Sequence, residues 1–557
     1  MNGAILLAIA VAFFMCGYFL YAALIEKKLG VDPSRPTPAH SKYDGVDYVP
    51  AHPTVLFGHH FASIAGAGPI VGPVLAAEFG WASVALWVIL GCVFIGAAHD
   101  MIAMFLSIRH GGESIGSVIG TILGKPGKIL FLLFSWSALV LVVTEFTRQI
   151  TGTFVADPSI ATASFLFLVE AIAFGLCVNK LKVPVLWASL VFVPLMFASI
   201  WFGSLMPFDL ARLGIDAKTI SVIWTIAVLA YCFIASTCPV WILLQPRDYL
   251  NAYLLYAMMA LGIIGVLMAH PVLHTDAFAG FSVIGRTGGV DKLFPFLFVT
   301  VACGACSGFH ALVASGTSAK QLDSEKSIRK IGYGGMLLEG VLAIIALVGV
   351  AGTYMSQAEF AEASRNLEPV QIFAATIAGF CVKIGIPQRV AESFMLLAVS
   401  AFLMTTVDSG TRLARFSWQE LFGVKEGEKP AGALKTLHNM YFGTGVVVAL
   451  AAFLLLGNPA AAKQIWTLFA SANQLLAALT LLAATLWFVR NNKPCWMTAI
   501  PMFFMLAVSS WALGTIFLKS LETGDWIRTF ATLFLLALAS VVVCLGVKAA
   551  LGEKKTV

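Results

Sequence analysis

Residues 55–73 read VLFGHHFASIAGAGPIVGP, and this stretch decides how the rest of the chain is interpreted. It is apolar enough for a membrane, yet it carries two histidines, several glycines and the prolines Pro69 and Pro73. Each proline removes a backbone donor and each glycine adds backbone freedom, so we predict that the helix breaks around 66–69. Broken backbone at membrane depth persists only inside protein or beside a water-filled cavity. We therefore expect a discontinuous helix that lines a binding site.

The paired imidazoles of His59 and His60 support the same interpretation. Ionisable groups inside a membrane are costly and usually serve transport. Imidazole gains and loses a proton close to neutral pH, so His59, His60 and His310 are the candidate proton carriers. The alternative is a closely packed helix of small residues whose histidines bind neighbouring carbonyl groups.

The composition is that of a polytopic helical membrane protein. Of the 557 residues, 59% are hydrophobic and 11% are charged, whereas soluble domains carry about 25% charged residues. The net charge of +6 lies in loops, so it indicates orientation and not nucleic-acid binding. Apolar stretches long enough to span a bilayer recur along the chain. We predict about fifteen spans, at 3–24, 54–78, 81–106, 129–154, 159–178, 184–206, 221–245, 251–270, 293–318, 334–356, 388–411, 438–456, 464–489, 496–518 and 528–550.

Lysine and arginine predict the orientation. The loops after odd-numbered spans hold 24 of the 35 lysines and arginines. Short loops with this excess lie in the cytoplasm, so we expect the N-terminus outside the cell membrane and the C-terminus inside. The polar segments are too short to form independent domains. We divide the chain into an N-terminal helix and loop (1–53), a transporter core (54–416) and a C-terminal bundle (417–557).

Four further stretches resemble a known family. VDPSRPTPAHSKYDGVDYVP (31–50), FGHHFASIAGAGPIVGPVLAA (57–77), PVWILLQPRDYLN (239–251) and CGACSGFHALVASGTSAKQL (303–322) closely resemble the carbon starvation protein A (CstA) family. The family comprises bacterial inner-membrane carriers that take up short peptides or pyruvate when carbon is scarce. Its superfamily, the amino acid–polyamine–organocation (APC) superfamily, implies an all-α, LeuT-like core of five plus five inverted repeats with broken first and sixth helices. On this basis 54–78 would be core helix one, 237–241 would lie in core helix six, and 315–318 in core helix eight.

The resemblance implies a secondary active transporter, and the residues suggest coupling to protons. A sodium-coupled carrier would instead use the hydroxyls of Thr317 and Ser318, or of Thr405 and Thr406. A channel would need a repeated charged filter, which the sequence does not show. A nutrient sensor or membrane-embedded enzyme is the remaining alternative, but no output module or HExxH motif is encoded. We therefore expect no enzyme activity, no cofactor and no metal; the partners are a small-molecule substrate, a proton and the bilayer.

The candidate site residues fall into three groups. Those expected at the substrate lie on glycine-rich or interrupted stretches: Gly58, His59, His60, Ser63, Gly66, Gly68, Thr237, Trp241 and His310. Those expected to couple a proton or ion are titratable or carry hydroxyls: His59, His60, Asp100, Thr317, Ser318, Thr405, Thr406 and Asp408. Those expected to hold the structure are prolines or charges that can pair: Pro69, Pro73, Pro239, Arg247, Asp248, Glu145 and Arg148. Asp100 could equally anchor a helix end.

Overall fold

Helices dominate the computed structural model, which describes residues 1–45, 47–239, 241–286, 288–423, 432–457 and 465–552. One short antiparallel hairpin, β1 (Ser282–Ile284) and β2 (Val290–Lys292), is also described. The α-helices are α1 (Gly3–Cys16), α2 (Ala22–Leu29), α3 (Pro38–Ser41), α4 (Pro53–Ile64), α5 (Gly68–Ala76), α6 (Trp81–Gly91), α7 (Ala97–Arg109), α8 (Ile115–Ala156), α9 (Pro158–Asn179), α10 (Val185–Leu205), α11 (Ala217–Thr237), α12 (Leu244–Ala269), α13 (Leu293–Val301), α14 (Gly308–Gly316), α15 (Gly334–Thr353), α16 (Gln357–Asn366), α17 (Pro369–Cys381), α18 (Gln388–Leu421), α19 (Ala433–Leu437), α20 (Met440–Gly457), α21 (Ile465–Arg490), α22 (Trp496–Glu522) and α23 (Trp526–Gly552).

The predicted number of spans is confirmed. Within the described residues, 14 helices are long and apolar enough to cross a membrane, and the bent pair α4–α5 makes 15. Short π-helical segments join α1 to α2 and α6 to α7 into single spans. The all-α, multi-pass fold class predicted from the sequence is therefore correct.

Ten of the spans form two units of five that run in opposite directions. The first unit is α4–α5, α6–α7, α8, α11 and α12, and the second is α13–α14, α15, α18, α20 and α21. Each unit begins with a broken helix, and in each a short helical segment leads into the long third helix: 115–123 before the Gly124 kink in α8, and α17 before α18. Equivalent helices of the two units lie seven or five spans apart along the chain, an odd number in each case, so they cross the membrane in opposite senses.

Packing follows the same twofold pattern. The two long helices, α8 and α18, form the most extensive helix pair in the molecule. α11 and α20 each pack against both of them, and α12 contacts α18 as α21 contacts α8. The broken helix α4–α5 packs on α15, and α14 packs on α7. This is the inverted-repeat, ten-helix core that the sequence resemblance implies, with the pair α9–α10 inserted between the third and fourth helices.

Three details of the sequence interpretation are wrong. The stretch 237–241 does not interrupt a span, because α11 ends at Thr237 and α12 begins at Leu244, and both are full-length spans. Pro239 explains the stop: Cys238 before it is extended and the proline offers no N–H to continue the helix. The sixth core helix is instead α13–α14, and the eighth is α18. The division of the chain at 416–417 stays a prediction; α18 runs across that position.

Loops gather on two faces. The odd-loop face carries the loops after odd-numbered spans, and there Arg109 contacts the carbonyl of Gly30 and the carboxylate of Glu325, while Lys493 contacts the carbonyl of Leu29. The even-loop face carries the others; on it Gly3 donates to the carbonyl of Pro271 at 2.7 Å.

Candidate functional site

The two broken helices cross at their breaks. The first helix is bent by 45° between Ile64 and Gly68, and the second leaves α-helical geometry between Val301 and Gly308. A Cβ atom on Gly68 would lie 2.5 Å from the Cβ of Cys303, and one on Gly72 would lie 2.5 Å from the carbonyl oxygen of Val301. Glycine is therefore required at both positions, since it lets the two backbones meet.

A small cavity lies between the breaks. Its walls come from α8, α18, α21 and both broken helices: Ile64, Gly66, Gly68, Val142, Phe146, Cys303, Phe309, Thr406 and Phe469. Its volume of about 10 Å³ has room for about one water molecule. The site is thus closed around its centre.

A larger cavity of about 240 Å³ lies on the odd-loop face. It runs between α8, α14 and α18, and its rim includes Glu420, whose carboxylate binds Lys128 at 2.8 Å and Ser114 at 2.9 Å. Ser315 and Gly316 of α14 lie on its inner wall. Since α14 also borders the small cavity, this vestibule approaches the breaks from the odd-loop face.

The even-loop face is tied across by ion pairs. Glu368, at the start of α17, pairs with Arg148 of α8 at 3.5 Å and with Arg286 of the β-hairpin at 3.1 Å. Burial raises the pKa of Glu368, but the two guanidinium groups outweigh burial and hold it below its usual range. The predicted pairing of Arg148 with Glu145, at 2.8 Å, is confirmed. These contacts close the face opposite the vestibule.

One buried polar cluster, the bundle cluster, consists of His60, His99, Asp100, His310 and Glu339. His310 Nδ1 lies 2.8 Å from Asp100 Oδ2, and its Nε2 lies 3.3 Å from Glu339 Oε2. His99 Nδ1 lies 2.7 Å from Asp100 Oδ1. All five residues are fully buried. Among the described residues, no group of three or more His, Cys, Asp or Glu is arranged to hold a metal ion.

A second buried cluster, the scaffold cluster, lies on the other side of α4. Arg247 donates to the carboxylate of Asp408 and to the hydroxyl of Tyr231, which itself bonds Asp408. His59 Nδ1 lies 3.8 Å from Asp248. Adjacent residues on a helix project about 100° apart, so His59 and His60 face different clusters. α4 therefore connects both.

Asn473 of α21 supports the second break. Its side-chain oxygen accepts from the backbone N–H of Phe309 at 2.8 Å, and its amide nitrogen lies 3.0 Å from Ser307 Oγ. The first N–H groups of a helix have no partner within the helix. Asn473 satisfies one of them at the start of α14, and so fixes where this half-helix begins.

Comparison with known proteins decides the family. The family model for carbon starvation protein CstA matches residues 2–365 and 353–512. This chain belongs to the CstA family. The resemblance seen in the sequence is therefore confirmed.

Curated members of the CstA family are similar over most of their length. The peptide transporter CstA of Campylobacter jejuni is 32% identical, with 90% of this chain and 79% of that protein covered. The pyruvate/proton symporter BtsT of Escherichia coli is 32% identical over 94% of this chain and 82% of that protein. The peptide transporter CstA of Escherichia coli is 33% identical over 89% and 78%. The characterised relatives are thus transporters.

Solved structures show only a distant likeness. MhsT in complex with L-phenylalanine is 14% identical with a TM-score of 0.48, covering 91% of this chain and 99% of that one. A manganese transporter of Eremococcus coleocola is 10% identical with a TM-score of 0.41, covering 89% and 96%.

The structure brings many of the predicted residues together. Gly66 and Gly68 lie at the first break, and Thr406 faces Gly66 across the small cavity. Ser318 binds His60 Nδ1 at 2.8 Å, and Thr405 accepts from Asn251 at 3.0 Å. Pro69 begins α5, where its missing N–H costs nothing, and Pro73 lies inside α5. Asp100 is not a helix-end anchor, because it is buried within its span.

Other predicted residues lie elsewhere. Thr237 ends α11 and its hydroxyl bonds the carbonyl of Phe233, while Trp241 lies in the next connection, 6.0 Å from Lys180 Nζ. Both are on the odd-loop face and not beside the breaks. Ser63 and Thr317 bond carbonyls of their own helices. Gly58 faces Tyr256 of α12.

Sequence reasoning missed several partners at the site. Tyr231 and Asn473 are single polar residues within apolar helices, and nothing in their local sequence marks them. Asn251 and Ser307 lie in the stretches 239–251 and 303–322, but the sequence did not single them out as site residues. Glu339 did give a signal, since it is a lone acid in the apolar run of α15. That signal identified a buried charge but not its partner His310.

Proposed function

We propose that this chain is a secondary active transporter of the bacterial inner membrane that imports short peptides or pyruvate by proton symport when carbon is scarce. The odd-loop face is cytoplasmic, the N-terminus periplasmic and the C-terminus cytoplasmic. The excess of lysine and arginine in the loops of that face supports this orientation. Its relatives include a peptide transporter and a pyruvate/proton symporter, which supports both substrate classes and coupling to the proton.

One observation carries the proposal: two half-helices begin at the cavity between the breaks. α5 starts at Gly68 and runs toward the even-loop face, and α14 starts at Gly308 and runs toward the odd-loop face. Helix N-termini carry partial positive charge and free N–H groups, so they favour an anion. Pyruvate and a peptide C-terminus share a carboxylate. In transporters built from inverted repeats, substrate sites lie at such half-helix ends.

The closed centre fits alternating access. The cavity at the breaks is too small for either substrate, while the vestibule lies on the odd-loop face and ion pairs tie the even-loop face. A carrier must pass through a state closed around its centre, whereas an open channel need not. We expect the helices α4–α7 and α13–α15 to rock against α8 and α18.

Uptake into proteoliposomes tests the proposal. Labelled pyruvate and labelled dialanine are each offered with a pH gradient, a sodium gradient or neither. Accumulation driven only by the pH gradient establishes the carrier, its coupling ion and its substrate class. Equilibration that ignores both gradients contradicts active transport, and binding without uptake favours a sensor.

Sodium coupling is the second candidate, and Thr406 is the observation that favours it. A Cβ built on Gly66 would lie 2.5 Å from its hydroxyl, so this hydroxyl directly faces the unwound backbone. Carbonyls of unwound segments coordinate sodium in other inverted-repeat transporters. Accumulation driven by the sodium gradient alone would establish this alternative.

A further inference from the structure

The bundle cluster contains more acceptors than a neutral histidine can satisfy. His310 has two ring nitrogens, and each faces a different carboxylate: Asp100 at 2.8 Å and Glu339 at 3.3 Å. Neutral imidazole carries one N–H and one lone pair. If Nδ1 donates to Asp100, the lone pair on Nε2 points at Glu339, and two acceptors then face each other.

Counting the protons on His310, Asp100 and Glu339 resolves the conflict between the two facing acceptors. One additional proton on the pair His310–Glu339 removes this repulsion. It is either on the ring, giving an imidazolium between two carboxylates, or on Glu339, which is then neutral. The 3.3 Å between Nε2 and Oε2 is an ion-pair distance, and neither atom makes a hydrogen bond within the described residues. Both forms carry one net negative charge. Without this proton the cluster would hold two uncompensated carboxylates in a fully buried environment, where isolated charges are very costly. The close approach of His310 to both carboxylates therefore favours the proton-loaded form of the cluster.

We propose that the pair His310–Glu339 is the binding site of the coupling proton. This inference rests on the proposed function and assigns its proton to a site on α14 and α15, away from the substrate cavity. The scaffold cluster is less suited: Arg247 is a fixed cation that pairs with Asp408 and lies 3.8 Å from Asp248, so it compensates one of the two carboxylates without an added proton.

The position of the pair connects it to the breaks. His310 follows Phe309, which lines the small cavity and whose N–H is held by Asn473. Loss of the proton would set two carboxylates against each other across α7, α14 and α15, and this repulsion would favour separation of those helices. The proton thus stabilises the packed arrangement seen here.

A route for the proton lies along α15. Gly335 precedes Glu339 by one turn, and a Cβ built on it would lie 3.3 Å from the His60 ring. His60 Nε2 is buried and has no hydrogen-bond partner among the described residues. The other titratable groups that interact with Glu339 are Asp100 on α7 and Cys92 in the turn before α7, and Cys306 in the second break interacts with Asp100. His60 Nε2 therefore lies beside the turn of α15 that precedes Glu339, while its Nδ1 is bound to Ser318.

The test separates coupling from transport. Wild-type protein and Glu339→Gln are reconstituted, and two quantities are measured with labelled pyruvate and labelled dialanine. The first is accumulation driven by a pH gradient. The second is exchange between equal substrate concentrations on both sides, which needs no net proton movement. We expect Glu339→Gln to lose accumulation and keep exchange, and its exchange rate to become independent of pH. Glu339→Asp keeps a titratable group, so it should restore accumulation with a shifted pH profile.

Glu170→Gln is the matched control. Glu170 is a buried acid on α9 that binds Ser199, outside both clusters. It should retain accumulation. Accumulation by Glu339→Gln at the wild-type level would overturn the inference and leave the proposed function standing. Loss of both exchange and accumulation in this variant would also overturn the inference, because Glu339 would then have a structural role. A wild type that ignores the pH gradient would overturn the proposed function itself.

Discussion

At the scale of single residues, Gly68 determines how closely the broken helices approach. A side chain there would meet Cys303 Cβ at 2.5 Å and Sγ at 2.6 Å. We expect Gly68→Ala to destabilise the protein by about 1–3 kcal/mol, the usual cost of overpacking. Thermal unfolding in detergent measures this.

The control for Gly68 is Gly379 in α17, where an added Cβ meets nothing within 4 Å. Gly379→Ala should be neutral or stabilising by up to about 1 kcal/mol. Adding Cys303→Gly to Gly68→Ala should recover part of the loss. A Gly68→Ala protein as stable as wild type would contradict the close approach.

Asp408 is the residue whose loss we expect to cost the most. Removing one partner of a buried ion pair leaves an uncompensated charge, and the cost is about 3–5 kcal/mol. Asp408→Asn leaves the buried Arg247 without this carboxylate, so the unfolding temperature of the variant should fall sharply. Arg212→Gln disrupts a pair with an Arg side chain that is 71% exposed, and it should change stability by less than about 1 kcal/mol. Equal effects would contradict the burial of the pair.

The sequence identified individual site residues better than their contacts. His59, His60, Asp100 and His310 stand out because charged groups are rare in apolar spans. Their partners could not be read from the chain: Asp100 and His310 are 210 residues apart, and only folding brings them within 2.8 Å. The partner of Glu339 was hidden for the same reason, because His310 lies on a different helix.

At the scale of elements, Glu368 ties three of them together on the even-loop face: α8, α17 and the β-hairpin. Its pKa is lowered, so these ion pairs are present at neutral pH and are lost only as the pH falls through that lowered value. We expect Glu368→Gln to loosen this face. Gly152→Cys provides a reporter, because its Cβ would lie 3.9 Å from Glu368 Cγ.

Maleimide labelling of Gly152→Cys measures the opening of the even-loop face. Labelling at neutral pH should be faster in the Glu368→Gln background. The matched control is Glu362→Gln on α16, where the residue is exposed. If both variants label at the rate of the unaltered background, Glu368 does not hold the face closed.

Element boundaries show what local sequence can predict. Apolar length predicted fifteen spans correctly, because bilayer thickness sets the length of each helix. The first break was also predicted, since Gly66, Gly68 and Pro69 act locally. The second was misplaced to 237–241, because Pro239 ends a helix there and a local stop resembles a break. The true break at 302–307 contains no proline.

At the scale of the whole molecule, the two faces make a prediction about orientation. Single cysteines replace Arg35 on the odd-loop face and Asn366 on the even-loop face, both exposed. In intact cells an impermeant maleimide should label Asn366→Cys and leave Arg35→Cys unlabelled until the membrane is opened. Labelling of the wild-type protein measures the background from its own exposed cysteines, Cys16 and Cys544. The reverse pattern would invert the topology.

The Arg247–Asp408 pair has a consequence for biosynthesis. The two residues are 161 positions apart, in different repeat units. At about 5–20 residues per second, a ribosome needs roughly 8–30 s to reach the second after the first. For that time Arg247 lies without Asp408 in the first turn of α12, where a long side chain can reach the membrane surface. The buried pair can therefore form only after the second unit has emerged, and the final packing of the first unit depends on the second.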